Sequence, residues 1–378
     1  MKRILILYAK YGGGHLSAAK SIQTYIEEHY FHNCEVKCID CVEYFSPFLS
    51  AVTTDAYKKM AKKAPKLWKK IYYGSTKGML SHVSSDANIL MSKKLHKLFK
   101  EFLPDVVIST HPFASQMTSY LKKKFDIKCE LATILTDFAP HEQWLVGKEY
   151  GDYFFVSNDK MRQTLIDSYG ISAEKVFATG IPLANTFSYP FYDEQTYNTY
   201  SLNPDKKLIL FFGGGEFGLG KKRTVQVLQS LARYLDRYQI VAISGRNKEL
   251  NAEFLKLAEK LNNSDLHVIK YSNDVPDLMH ISSLVVTKPG GLTSSESLAS
   301  GLPIIITTPI PGQEEENAEF LEDSGVAVWL RDDDDIDRVI DGVLNDEQKL
   351  EDMRQKCKVI ARPNSTRDIC QTILGSFN

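Results

Sequence analysis

The chain has 378 residues and a formal net charge of −1: room for two domains, and no overall field of the kind that marks a nucleic-acid binder. Hydrophobic residues make up 43% and charged residues 25%, an ordinary globular balance, and six cysteines in this length read as reduced cytosolic thiols rather than a disulfide scaffold. No run of about 18 apolar residues occurs, so no segment is expected to span a membrane. The apolar run Ile4–Tyr8 is too short for a signal peptide, and no small-residue cleavage site follows it.

Short apolar runs alternate with amphipathic stretches along the first half. The expected strands are Arg3–Tyr8, Glu35–Asp40, Val106–Thr110, Glu130–Thr136, Tyr153–Val156 and Lys175–Ala178. Leu16–His29, Leu90–Phe102 and Lys160–Tyr169 carry helical patterns between them. This alternation predicts a doubly wound parallel sheet. Ile181–Asp205, with two prolines, several tyrosines and weak periodicity, reads as a linker. The pattern then restarts with strands at Lys207–Phe212, Gln239–Ser244, Leu266–Tyr271, Leu284–Thr287, Pro303–Thr307 and Ala327–Trp329. Two α/β domains are expected, residues 1–182 and 183–362, with a C-terminal helix at 363–378 packing back on the first.

Gly12-Gly13-Gly14-His15 follows the first strand and opens a helix. Glycines there let a ligand approach the backbone, and a helix N-terminus favours negative charge. One reading is a dinucleotide fingerprint, with Ser17 in the third position and Asp40 placed for a ribose hydroxyl. Another makes His15 a general base at the crevice beyond the strand ends. The bland alternative is a structural cap histidine.

Tyr57–Lys77 carries eight lysines and no acidic residue, with Lys62, Lys63, Trp68, Lys69, Lys70 and Tyr72 interleaving charge and aromatic rings. Such a stretch suits an anionic bilayer surface, each lysine contributing about 1 kcal/mol near it. The competing reading is a solvated lysine-rich helix.

Lys288-Pro289-Gly290-Gly291-Leu292-Thr293-Ser294-Ser295-Glu296 follows a strand and enters a helix. Its bare N–H groups and the Thr293 and Ser294 hydroxyls would face a diphosphate. Glu296, read as lying in the first helical turn, would accept from both ribose hydroxyls. Otherwise Glu296 merely complements the helix dipole. A second loop, from Pro309 through Gln313 and Glu314 to Asn317, sets amide and carboxylate acceptors at the same sheet edge. Asp332–Asp335 contains a D-x-D string of the metal-binding kind, but it precedes a helix and reads as a cap and solvated turn. Cys34, Cys38 and Cys41 have the spacing of cluster ligands, yet a strand there puts Cys41 on the opposite parity.

Taken together, the Gly-Gly-Gly-His loop, Thr136-Asp137-Phe138 with His141 and Trp144, Thr179-Gly180-Ile181-Pro182, Ser244-Gly245-Arg246-Asn247, the Lys-Pro-Gly-Gly loop with Glu296 and the Pro-Gly-Gln-Glu loop ending in Asn317 make a pattern. It resembles bacterial processive diacylglycerol glucosyltransferases and plant monogalactosyldiacylglycerol synthases, in order, over nearly the whole chain. The resemblance implies a GT-B fold, two Rossmann-like doubly wound domains facing across a cleft, and transfer of glucose or galactose from a UDP-sugar to diacylglycerol with inversion. It makes His15 the catalytic base, with Asp137 orienting it or the acceptor. Gly13 and Gly14 fall on the acceptor side. Gly213, Gly214, Gly215, Gly290, Gly291 and Thr293 match the diphosphate loops. Tyr271 and Ser272 match the segment beside the uracil, Glu296 the ribose carboxylate, and Gln313 and Glu314 the hexose contacts. Ser244, Arg246, Asn247 and Asn317 are counted with the donor site. UDP-glucose or UDP-galactose, diacylglycerol and an anionic membrane are the expected partners, no metal is expected, and the place is the inner face of the cell membrane. A UDP-sugar epimerase or hydrolase and a silent UDP-sugar sensor are the rival readings.

Overall fold

The computed structural model describes residues 1–10, 13–45, 85–187, 193–214 and 220–375. The chain forms two compact units: Met1–Asn185 with Pro311–Gln313 and Arg362–Asn378, and Thr186–Ile310 with Glu314–Ala361.

In the first unit β1 (Lys2–Tyr8), β2 (Cys34–Asp40), β3 (Val106–Ser109), β4 (Glu130–Ile134), β5 (Tyr153–Phe155) and β6 (Val176–Phe177) lie parallel in the order β2-β1-β3-β4-β5-β6. Ile4, Leu5, Ile6 and Leu7 are all fully buried because both faces of the sheet are covered. Ile4 and Ile6 pack with Ile22 and Ile26 of the helix Gly14–His29 and with Ile369 and Ile373 of the helix Ser365–Leu374. Leu5 and Leu7 pack on the other face with Leu95, Phe99 and Met117. Each such side chain contributes about 1.5–3 kcal/mol by leaving water. The C-terminal helix is also fastened by polar bonds: Ser365 Oγ donates to the Ile181 carbonyl at 2.7 Å and Thr366 Oγ1 to the Leu183 carbonyl at 2.6 Å.

Cys34 and Cys38 pack at one face of this sheet and Cys41 at the other, so the three thiols do not converge. The helix Pro112–Phe125 is not among the stretches expected from periodicity. Its buried face includes Ser115, Gln116, Thr118 and Ser119, whose polarity hides the apolar stripe. Several are bonded internally: Ser115 Oγ lies 3.2 Å from Thr133 Oγ1, Thr118 Oγ1 donates to the Ala114 carbonyl at 2.9 Å and Gln116 Nε2 to the Gln143 carbonyl at 2.7 Å. The start is marked instead by His111 at the N-cap and Pro112 in the first turn.

In the second unit β7 (Lys207–Phe212), β8 (Tyr238–Ile243), β9 (Leu266–Ile269), β10 (Leu284–Thr287), β11 (Ile304–Thr307) and β12 (Ala327–Leu330) are again parallel, in the order β12-β11-β10-β7-β8-β9. All six residues of β8 are buried, as a central parallel strand requires. The stretch read as a linker, Ile181–Asp205, contains the helix Asp193–Tyr200. Only Thr196 of that helix is buried, so its sequence shows little amphipathic pattern. It is held by tertiary contacts described below.

These orders locate the sites. A doubly wound sheet binds ligands beyond the carboxyl ends of its strands, where the winding direction reverses. That switch point falls between β1 and β3 in the first unit and between β7 and β10 in the second.

Candidate active site

At the first switch point, the exposed Gly13 precedes the helix that begins at Gly14. His15 Nδ1 lies 2.6 Å from the carbonyl oxygen of Thr110, just after β3. A carbonyl only accepts, so Nδ1 carries the proton and Nε2 keeps its lone pair. Thr136 Oγ1 stands 3.2 Å from the same nitrogen, and Thr110 Oγ1 donates to the His15 carbonyl at 2.9 Å. Burial pushes the His15 pKa down to about 4, the Thr110 bond acting the other way. The imidazole is therefore neutral at physiological pH, with a proton-accepting atom available.

Thr110 and Thr136 hold the His15 imidazole, while the buried Asp137 accepts from Gln313 Nε2 at its Oδ1. The rings of His111 and Trp144 stand 4.6 Å and 6.3 Å from that of His15. His111 Nδ1 accepts from the Phe113 amide at 3.1 Å, so its proton sits on Nε2, the opposite tautomer. Thr110 and His111 were not singled out from the sequence. Their signal is the run Ser109-Thr110-His111-Pro112, a strand end passing through a cap into a proline-led helix. His141 caps the short helix Glu142–Trp144. Asp40 does not wait for a ribose: its Oδ1 accepts the amides of Val42 at 3.0 Å and Glu43 at 3.1 Å, capping the helix Cys41–Phe45.

At the second switch point, the glycines after β7 and β10 differ in kind. A Cβ on Gly213 would stand 2.6 Å from Leu250 Cδ2 and 3.0 Å from the Phe254 ring, so this glycine is required by packing. Gly214 adopts φ +93°, the left-handed region. Gly215 lies outside the described residues. Gly290, by contrast, has an ordinary φ of −69°, and a Cβ there would meet nothing within 4 Å. It caps the helix Gly291–Ala299 and its own N–H donates to the Lys288 carbonyl at 2.9 Å, while the open space beside it at the helix N-terminus suits an anion.

Glu296 is the sixth residue of that helix, in its second turn, and not in the first as the sequence suggested. This removes the helix-dipole explanation, which fades beyond the first turn. Among the described residues its carboxyl has no hydrogen-bond or ion-pair partner, and burial pushes its pKa up to about 8. Ser294 is fully buried, which withdraws one of the two hydroxyls expected to serve a diphosphate; Thr293 is half-buried.

Gln313 opens the helix Gln313–Asp323 and is half-buried. The next expected hexose contact, Glu314, is committed to the protein. Its Oε1 pairs with Lys288 Nζ at 2.6 Å and its Oε2 accepts the Ile310 amide at 2.8 Å. One turn on, Asn317 Nδ2 donates to the Pro289 carbonyl at 3.1 Å. Glu314 and Asn317 thus brace the loop before Gly290 instead of presenting their polar atoms to a sugar. Ser244 Oγ bonds Asn251 Oδ1 at 3.0 Å, and Asn247 caps the helix Lys248–Leu261. These two shape the turn after β8, while Arg246 is exposed. Tyr271 is 69% exposed and Ser272 is buried beside it. Asp335 caps the helix Ile336–Leu344 by accepting the Arg338 amide at 3.1 Å, as the D-x-D stretch led us to expect. Lys62, Lys63, Trp68, Lys69, Lys70 and Tyr72 lie outside the described residues. No helix among the described residues is long and apolar enough to cross a membrane.

Residues 15–183 match the family model of monogalactosyldiacylglycerol synthases and residues 194–359 that of the group 1 glycosyl transferases. A processive diacylglycerol beta-glucosyltransferase of Bacillus cereus is 33% identical over 376 residues, spanning 99% of this chain and 93% of the relative. One from Bacillus mycoides is 32% identical over 373 residues, with the same shares covered. Among solved structures, MurG of Acinetobacter baumannii shares the fold with a TM-score of 0.65 at 14% identity, over 100% of both chains. The chain belongs to the family of processive diacylglycerol beta-glucosyltransferases, glycosyltransferases of the GT-B fold.

Proposed function

We propose that this protein transfers a hexose from a UDP-sugar to diacylglycerol, with inversion, making a β-glycosyl lipid. Glucose is the first choice, as in the names of the Bacillus relatives. The observation that carries the donor assignment is Glu296: a half-buried carboxyl with no hydrogen-bond or ion-pair partner among the described residues, one turn into a helix whose N-terminus is open at Gly290. A pair of ribose hydroxyls would supply the missing donors while the diphosphate takes the helix N-terminal amides from Gly291 onward.

In the reaction, the acceptor hydroxyl oxygen bonds to the anomeric carbon and its proton passes to His15 Nε2. The bond from that carbon to the diphosphate oxygen breaks, and the electron pair leaves with UDP. Such a base contributes roughly 10²–10⁴ in rate. Fixed amide dipoles stabilise the growing diphosphate charge, commonly the larger effect. Gln313, whose Nε2 donates to Asp137 Oδ1, is assigned to the hexose through its amide oxygen, whereas Glu314 and Asn317 hold the loop. The scheme needs no metal. The lysine-rich stretch 57–77, with Trp68 and Tyr72, is the proposed docking face for the anionic inner leaflet.

The test is a transfer assay with labelled UDP-glucose and, separately, UDP-galactose, on diacylglycerol in anionic liposomes containing EDTA. Label in a lipid product is expected, in excess from one donor. Label that stays in water while UDP forms would replace transfer with hydrolysis or epimerisation. A parallel cosedimentation with Lys62, Lys63, Lys69 and Lys70 changed to Ser is expected to lose liposome binding; unaltered binding removes the docking face.

A further inference from the structure

The helix Asp193–Tyr200 has an unexplained attachment. Tyr200 OH donates to Asp274 Oδ2 at 2.8 Å and lies 2.5 Å from Ser272 Oγ. Ser272 Oγ in turn accepts the Asp274 amide at 2.8 Å. The tyrosine proton is taken by the carboxylate and the amide proton occupies a lone pair of the serine oxygen. The remaining proton, on Ser272 Oγ, therefore points to the tyrosine oxygen. The three residues close a ring in which every donor has one acceptor. Burial raises the Tyr200 pKa, so the phenol keeps its proton throughout the physiological range.

Asp274 shows what the ring overrides. It occupies the N-cap of the helix Val275–His280, a position where aspartate ordinarily accepts an amide of the first turn. Here its side chain makes no cap bond, and an oxygen goes to Tyr200. A second contact holds the same helix pair, His280 Nε2 standing 3.6 Å from Asp193 Oδ1. The loop between β9 and Val275 is thus set by the segment that precedes β7, not by its own cap. That loop contains Tyr271 and Ser272.

We propose that Tyr200 is a positioning residue for the nucleotide base: by closing the ring with Ser272 and Asp274 it fixes the backbone of the Tyr271–Ser272 segment on which the uracil is read. This rests on the UDP reading given above. The hydroxyl touches no substrate. It acts through the conformation of the loop, so its effect falls on base recognition and leaves the diphosphate end unaffected.

The experiment measures UDP, ADP and inorganic pyrophosphate binding to the full-length protein and to Tyr200→Phe by calorimetry, with thermal melts alongside. Losing a bond to a charged acceptor predicts about tenfold weaker UDP binding. The preference for UDP over ADP is expected to narrow, with pyrophosphate binding unchanged. If Tyr200→Phe melts well below the wild type, Ser272→Ala, which opens the ring from the other side, carries the same measurement. An unchanged UDP-to-ADP ratio in the folded variant overturns the proposal. Equal losses for UDP and pyrophosphate also overturn it, since they would mark a general structural role. A wild-type protein that binds pyrophosphate but no UDP fails the nucleotide reading itself, and the inference falls with it.

Discussion

His15 Nδ1 and the Thr110 carbonyl oxygen, 2.6 Å apart, join the ends of the two strands between which the first sheet reverses its winding. The partner is backbone, so no side-chain substitution removes it. It accepts only, so it dictates the tautomer. Thr136 adds a second oxygen at the same nitrogen. His15 is therefore oriented by the sheet, and its Nε2 keeps the lone pair that the proposed reaction uses.

His15→Ala is expected to lower kcat by about 10²–10⁴ and leave UDP affinity nearly unchanged, because Gly290, Gly291 and Glu296, proposed to hold UDP, lie in the second unit. Steady-state transfer rates and UDP calorimetry check this; full activity in the variant removes His15 from the chemistry. The acid limb of kcat/KM, which reports the free enzyme, should fall near pH 4 and not near 6.5.

The same shift has a stability consequence. The folded value, about 4, lies below the unfolded one of 6.5. Between them the unfolded chain binds more protons, so this contribution is complete above pH 6.5 and is lost as pH falls towards 4. Denaturant unfolding at pH 7.5 and 5 should show a smaller loss for His15→Gln than for the wild type.

Glu296 has the opposite sign. Its folded pKa, about 8, exceeds the reference of 4.5. Its contribution is present below pH 4.5 and is lost as pH rises through 8. Glu296→Gln should then melt above the wild type at pH 8–9, with the gap closing towards pH 4.5. UDP binding at pH 7 should release nearly one proton from the wild type, as ribose hydroxyls favour the ionised carboxylate. Calorimetry in buffers of different ionisation enthalpy reads this directly. Proton release that persists in Glu296→Gln would place the titrating group elsewhere.

Two glycines separate packing from binding. Gly213→Ala forces a Cβ against Leu250 and Phe254 and is expected to destabilise by about 1–3 kcal/mol. Gly290→Ala meets nothing and needs no unusual φ, so stability should change by less than about 0.5 kcal/mol. UDP affinity should nevertheless drop about tenfold, since a methyl group then stands where the diphosphate approaches the amide. Wild-type affinity in Gly290→Ala would move the diphosphate away from this loop.

Glu314→Ala removes the acceptor shared by Lys288 Nζ and the Ile310 amide. A loss of about 2 kcal/mol or more is expected, because the Ile310 amide it leaves is buried. Chemical denaturation with the Lys288→Met partner variant, as a double-mutant cycle, gives the coupling. A coupling near zero would show that the pair does not hold the loop.

Much of this was legible in the sequence, for identifiable reasons. Ile4–Leu7, Leu208–Phe211 and Leu284–Val286 are apolar without interruption, a pattern that only strands buried on both faces sustain. Glycines after β1, β7 and β10 marked the strand ends at the switch points, where doubly wound sheets in general hold ligands. The helix Pro112–Phe125 escaped because its buried face includes the polar Ser115, Gln116, Thr118 and Ser119. The helix Asp193–Tyr200 escaped because its attachment runs through Tyr200 and not through an apolar stripe.

The sequence alone determined the order of the strands, the two parallel sheets and most of the residues proposed for a site, since periodicity and glycine placement are local properties. Only the tertiary structure decided what each of those residues does. Whether a carboxylate is free or spent depends on partners far along the chain: Glu314 meets Lys288 across 26 positions, while Glu296 meets none among the described residues. The tautomer of His15 depends on a carbonyl 95 positions away. Hydrogen-bond partnership and desolvation are set by neighbours in space, and strand order, which brings such neighbours together, is not written in any local pattern.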